Sequence, residues 1–398
     1  MFENAKQFIQ SKVPARWQAL LEYNLYLHEG CLHAPYGPLR FNWHDSSHST
    51  ALCFGTFEAS LAALNLVRLE PKFAIEQVHN ILALEQEDGF LPSHLIFNPD
   101  FSLRYSQLTA PVLWPWVIEA LRQKGVALDL APFLKSLKSQ IQWWENHRSS
   151  PSGGFYFLDI QDGFLESTYG LELRFLPGSL DEELHFDSCV DASCQMYALY
   201  DIYLRWTSAL KQECPCIPAL EKLRLFIQEQ LFDPQTGFFY DQWHLHARKS
   251  PPITGLGLWP IFSRAASSSQ ALEILRNYLL NPKHFYCPHP LTSLSQSHSD
   301  FSPVGWLGPV RNSQMLFLIH GLKGYGLAQA ASHLIEKALD MTAQQFLRSA
   351  DLWEFYHPLA GHPQEMIKLI DGNLETPSAS HLTHNPLMAL CFELLQLR

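Results

Sequence analysis

Residues Gly326–Leu347 read GLAQAASHLIEKALDMTAQQFL, and the spacing within them decides the fold class. Leu327, Ala331, Leu334, Ile335, Ala338, Leu339, Thr342 and Phe346 recur at i, i+3, i+4 and i+7. That period places them on one face of a helix. Leu220, Leu223, Ile227 and Leu231 repeat it after Pro218, a residue suited to a first turn. Phe133, Leu137, Ile141 and Trp144 repeat it after a candidate cap at Asp129. Alternation of the β type is sparse.

Extended over the chain, the pattern predicts twelve helices, near 15–28, 46–67, 71–86, 106–124, 130–147, 187–209, 217–231, 255–266, 269–280, 310–323, 327–348 and 381–396. Joins after even-numbered helices are short, about two to seven residues; joins after odd-numbered ones run from about 17 to 38. In an up-down arrangement every long join emerges at the same end. Six such hairpins closing on themselves form an all-α (α/α)6 barrel, expected as a single domain over residues 1–398. A helical solenoid competes, but no residue-level repeat supports it. The long-loop end is where function is expected.

Composition narrows the function classes. The chain has 398 residues, with 28 basic and 39 acidic side chains for a net charge of −11. No basic stripe is available to displace counterions from a phosphate backbone, so nucleic acid is not an expected partner. The apolar windows, such as Met315–Ile319, are too short to span a bilayer, so no membrane association is expected. Met1–Lys6 is polar, and eight scattered cysteines fit free thiols, so a cytoplasmic protein is expected. Cys214-Pro215-Cys216 and His244-Leu245-His246 lack a second ligand pair at zinc-finger spacing, so no metal is assigned. No dinucleotide or phosphate-binding glycine loop occurs, so no cofactor is expected. The oligomeric expectation is a monomer or homodimer.

The long loops concentrate aromatics, including Trp43, Phe90, Tyr156, Trp243, Trp306, Trp353 and Tyr356. They also carry acids, including Asp45, Asp88, Asp162, Glu166, Glu172, Asp241, Asp351 and Glu354. Sugar rings stack their apolar faces on aromatics and direct their hydroxyls to carboxylates. Glycoside cleavage needs two carboxyl groups flanking the scissile bond.

Five segments resemble glycoside hydrolase family 63, which includes processing α-glucosidases and mannosylglycerate hydrolases. Gln230–Asp241 is similar to its "L-W-D-x-x-T-G-F-Y-Y-D" segment, and Asp351–Pro363 to its "F-W-E-x-Y-N-P-x-T-G-E-P" loop. Asp88–Pro92 and Gln107–Pro111 resemble "D-G-x-x-P" and "Q-x-P-P", and Phe41–Ser46 resembles the "W-D-S" stretch that places a sugar-binding aspartate. Their order, from about residue 41 to 363, covers nearly the whole chain.

The resemblance implies an (α/α)6 barrel that hydrolyses small α-linked glucosides or mannosides with inversion. The partner it implies is a small carbohydrate. The family's base maps onto Glu354. Its acid is the aspartate of "E-S-G-x-D-x-S-P-R"; here Glu166, Ser167, Arg174 and Phe175 match, but Gly170 stands at the acid's position. Glycine has no proton to give. Either Glu172 supplies it, or Asp181, Glu182 or Glu183 folds back, or the barrel binds sugar without cleaving it. A second departure lies in Trp306–Asn312, where Leu307 replaces the family's arginine and Arg311 its tryptophan. Arg311 could select an acidic sugar, pair with Glu172 or Glu354, or form a helix-start ion pair. The expected binding wall is Trp43, Asp45, Asp88, Gln107, Glu166, Arg174, Trp306, Arg311, Trp353 and Tyr356. An epimerase working through paired histidines is a third reading; a histidine pair facing Glu354 would favour it, and an opposing carboxylate would favour hydrolysis.

Overall fold

The computed structural model describes residues 2–45, 52–100, 102–157, 187–242, 251–304, 307–370 and 373–397. Thirteen α-helices lie among them. They are α1 (Glu3–Lys12), α2 (Ala15–Gly30), α3 (Thr56–Leu66), α4 (Pro71–Leu82), α5 (Trp114–Gln123), α6 (Ala131–His147) and α7 (Val190–Ala209). After these come α8 (Ile217–Gln230), α9 (Trp259–Phe262), α10 (Ser268–Ile274), α11 (Asn312–Gly324), α12 (Ala328–Ser349) and α13 (Leu387–Leu397).

Two shells follow from who packs on whom. α3, α5, α7, α9, α11 and α13 each pack on the next, and α13 returns to α3, closing an inner ring of six. Outside it, α4 lies against α3 and α5, α6 and α8 against α7, and α12 against α11 and α13. α2 packs on α12 and α13 and covers the seam. This is the expected (α/α)6 barrel. An inner helix is wrapped by neighbours on most sides and buries polar as well as apolar side chains, as α7 does without a break from Val190 to Met196. The outer α12 instead keeps a single stripe, in which Leu334, Ile335, Ala338 and Leu339 are buried.

Local sequence sets the helix starts. Proline occupies the first turn of α4, α5, α6, α8 and α9, where its missing N–H has no helical partner to lose. Ser267 and Gln270 form a reciprocal capping box on α10. Each inner helix is entered by a long connection, and α3, α5, α7, α9 and α11 are each left by a short one, so the six inner N-termini open on one end of the barrel. Short antiparallel pairings brace the long connections: β1 (Leu32–His33) with β2 (Trp43–His44), and β3 (Cys53–Gly55) with β4 (His94–Phe97) and β5 (Leu103–Tyr105). β6 (Phe232–Asp233) pairs with β7 (Phe238–Phe239), and β8 (Lys368–Ile370) with β9 (Asn373–Glu375).

Several expected boundaries move. α1 precedes the twelve expected helices and buries Phe2, Ala5 and Ile9. The helix expected from 106 begins at Trp114, because the Ser93 amide takes the Leu108 carbonyl and Pro111 interrupts the run. The one expected from 46 begins at Thr56, after β3. The one expected from 381 begins at Leu387, since Pro386 fits a helix start and residues 381–385 bond elsewhere. The expected helix 255–266 is a 3-10 turn over Gly255–Leu258 followed by the four-residue α9. The one expected over 269–280 widens into a π-turn at Leu275–Leu279.

Candidate active site

Glu354 lies on an extended run between α12 and α13. Ala350 ends α12 in the left-handed region (φ 54°), turning the chain back over the barrel mouth. Tyr356 then pairs with Val310 through two backbone hydrogen bonds of 2.8 and 3.1 Å, and Trp353 bridges to Ala379. Between these rails, residues 352–358 are buried except Glu354, which is half-buried. Its carboxylate accepts the Ser378 amide at 3.1 Å, and its own amide donates to the Ser378 carbonyl at 2.9 Å. The side chain is thereby oriented by the Ser378 backbone.

A buried polar network holds this run. The Asn385 amide donates to the carbonyls of Trp353 (2.9 Å) and His381 (2.7 Å). Its oxygen accepts the Tyr356 hydroxyl at 2.7 Å and the Asn312 amide at 3.2 Å. Asn312 reaches His289 (3.1 Å), and Gln345 bonds the His357 backbone on both sides, at 3.1 and 3.3 Å. Burial pushes the His289 pKa down to about 4 and raises that of the Tyr356 phenol, so both stay neutral. Asp351 ties the two ends of the loop, accepting from Ser380 and from the Tyr23 hydroxyl at 2.8 Å.

The expected wall residues separate into two groups. Trp353, Glu354, Tyr356 and Arg311 come together around the starts of α11 and α13. The indole of Trp353 donates to Ser349 at 2.9 Å. The Arg311 guanidinium is buried and sits 5.7 Å over the Phe355 ring. Tyr356 is fully buried, which makes it a support for the loop rather than a face open to sugar. Trp43 is buried as well, with His33 stacked on it at 4.7 Å and Phe97 at 4.7 Å. Asp45 is half-buried at the same hairpin and accepts the Cys53 amide at 3.3 Å.

Asp88 is exposed and accepts the Phe90 amide at 3.0 Å, closing its own turn. Gly89 (φ 91°) seats that turn on α6, where a Cβ would meet the Ser139 carbonyl. Gln107 is exposed. Glu166, Gly170, Glu172, Arg174 and Trp306 lie outside the described residues, as do Asp162, Asp181, Glu182, Glu183, Trp243, His244 and His246.

Sequence reasoning missed Asn385, Asn312, His289 and Gln345. Only Asn385 carried a signal, the Asn-Pro pair that marks a helix start. It also missed how α7 begins. Asp241 is buried and accepts the Val190 amide at 2.8 Å, while the Asp191 carboxylate accepts from Ala192 at 3.0 Å. With Cys189 these two acids bring potential ligand atoms within 4.8 Å of one another. The cluster's described bonds serve the helix N-terminus, where negative charge is favoured.

A ring of six inner helices, loops gathered at one end and a carboxylate fixed among aromatics define a barrel of the six-hairpin glycosidase class. The family described as the mannosylglycerate hydrolase MGH1-like glycoside hydrolase domain matches residues 58–372, and the chain belongs to it. Among solved structures, the family 63 mannosylglycerate hydrolase of Thermus thermophilus in complex with glucose superposes with a TM-score of 0.69 at 16% identity, covering 97% of this chain and 100% of that one. Neutral trehalase from Saccharomyces cerevisiae superposes with a TM-score of 0.61 at 12% identity, over 94% of this chain and 80% of that one. A rhamnosidase from Klebsiella oxytoca, with rhamnose bound, gives 0.59 at 13% identity, over 98% and 64%. At these identities the superpositions establish the shared barrel. No curated protein sequence matches the chain.

Among the described residues, no helix is long and apolar enough to cross a membrane.

Proposed function

We propose that the protein is an inverting glycosidase acting on a small α-linked glucoside or mannoside, with Glu354 as the base that activates water. The observation that carries this is the placement of Glu354: half-buried in an otherwise buried run, its carboxylate bonded to Ser378, on the loop that the Asn385 network fixes. The Thermus enzyme's complex with glucose adds support for a small sugar as ligand. Glu172 is the proposed acid, two positions beyond Gly170, protonating the leaving oxygen from the opposite side at the roughly 6.5–9.5 Å separation that inversion uses. Arg311, Asp45 and Trp353 would line the sugar site in a single-domain cytoplasmic barrel, monomeric or homodimeric.

Glycosyl fluorides leave without acid assistance and therefore separate the two carboxylate roles. Glu354→Gln is expected to lower fluoride and glycoside turnover about 10²–10⁴-fold. Glu172→Gln should spare fluorides and suppress natural glycosides. If Glu354→Gln turns over fluorides at the wild-type rate, the base assignment is wrong. Binding of sugar without cleavage of any fluoride would identify a sugar-binding barrel instead.

Epimerisation has one observation in its favour. His381 and His384 stack 5.2 Å apart at 6°, with His384 bonded to Ser313 at 2.9 Å, close to the Glu354 loop. Solvent deuterium entering an unhydrolysed sugar would identify that reaction.

A further inference from the structure

Far from the loop end, residues 210–216 join the C-terminus of α7 to the start of α8. Residues 211–213 and Pro215 are exposed; Cys214 is half-buried and Cys216 is buried at the start of α8. The two sulfurs lie 3.0 Å apart, and both are free thiols. The Cys216 thiol also faces the Tyr200 carbonyl at 3.6 Å. Pro215 fixes the backbone between them, since its ring locks φ near about −65°.

Distance decides what this pair is fitted to do. Two thiolates on a tetrahedral zinc, each about 2.3 Å from the metal, would stand roughly 3.8 Å apart. A disulfide needs about 2.05 Å. At 3.0 Å the sulfurs are already closer than a shared zinc would hold them, and closing the bond takes a side-chain movement of about 1 Å. The loop such a bond closes is three residues long, so it constrains the unfolded chain little and adds little stability. A bond of that kind is a reversible redox site rather than a staple.

We propose that Cys214 and Cys216 form a reversible disulfide, with a low-molecular-weight disulfide such as oxidised glutathione as the oxidant. The more accessible Cys214, as thiolate, attacks one sulfur of glutathione disulfide and releases one glutathione thiolate, leaving a mixed disulfide. Cys216 gives up its proton to solvent and attacks the Cys214 sulfur, releasing the second glutathione. Two protein thiols are oxidised and one glutathione disulfide is reduced to two glutathiones. Burial and the neighbouring sulfur hold the Cys216 thiol protonated, which leaves the first attack to Cys214.

The test equilibrates folded protein in buffers of increasing oxidised-to-reduced glutathione ratio, quenches with acid, alkylates in denaturant and digests with trypsin. The peptide Gln212–Lys222 contains both cysteines and no other. It should appear unalkylated and lighter by two hydrogens, and dithiothreitol should reverse this. The native chain should reach half-oxidation at a ratio at least tenfold lower than the urea-unfolded chain. In Cys214→Ser the peptide should carry one alkyl group on Cys216 after the dithiothreitol step. Double alkylation of the wild-type peptide across the whole series would overturn the proposal. So would equal oxidation of native and unfolded chains, or protection that a chelator removes without any loss of hydrogens.

Discussion

Asn385 has four side-chain partners, three of them on the segment that carries Glu354 or follows from it: the Trp353 and His381 carbonyls and the Tyr356 hydroxyl. The fourth is Asn312 at the start of α11. Truncation to alanine strands these groups inside the protein, where each unsatisfied one costs about 1–3 kcal/mol. Asn385→Ala should therefore lose about 3 kcal/mol or more by urea denaturation, and turnover should fall because Glu354 loses its fixed support. A loss under about 1 kcal/mol would show that the network does not hold the loop. At this scale the sequence exposes chemistry but not accessibility. Glu354 was picked out as a candidate by the resemblance of Asp351–Pro363 to the family loop. That Tyr356 and Trp43 are buried was not legible, because an aromatic in a loop looks the same whether it faces a ligand or a neighbouring side chain.

Helix against helix, the tightest constraint is at Gly321. A Cβ there would fall on the Ile261 carbonyl oxygen, so α11 and α9 approach at a distance only glycine permits. Gly321→Ala must push the two inner helices apart. A destabilisation of about 1–3 kcal/mol is expected, beyond what helix propensity would return. An unchanged or raised melting temperature would show that the helices can slide apart freely. Periodicity revealed which segments are helices, because a half-buried outer helix must keep one apolar stripe. It overestimated lengths where a connection passes through buried apolar surroundings, as before α5 and α13. There backbone groups bond to neighbouring loops, and apolar composition alone does not distinguish that from a helix.

Across the molecule, buried histidines make the fold sensitive to acid. His28 and His44 stand 4.9 Å apart inside the barrel wall, with Asn65 donating to His28 at 2.7 Å. Burial holds His44 down to about 3 and His28 well below its ordinary value. Below the unfolded value of 6.5 the unfolded chain binds protons that the folded one refuses, so stability falls as pH drops from 6.5 toward 3. Above 6.5 these groups have no effect. Lowering pH from 7.5 to 5 should remove about 2 kcal/mol through His44 alone, read as a drop in the urea midpoint. His44→Gln should flatten that dependence; a midpoint independent of pH in wild type would refute it.

The alternation of short and long connections between periodic segments determined the barrel, because joins of a few residues force antiparallel neighbours and leave the long ones at one end. The order of short motifs determined the family and pointed to Glu354. Tertiary structure alone decided which loop side chains support and which remain accessible. It also joined α13 to α3 across the length of the chain, and brought Asn385 under a carboxylate 31 positions before it. Those outcomes depend on contacts between residues far apart in sequence, and no local pattern records them.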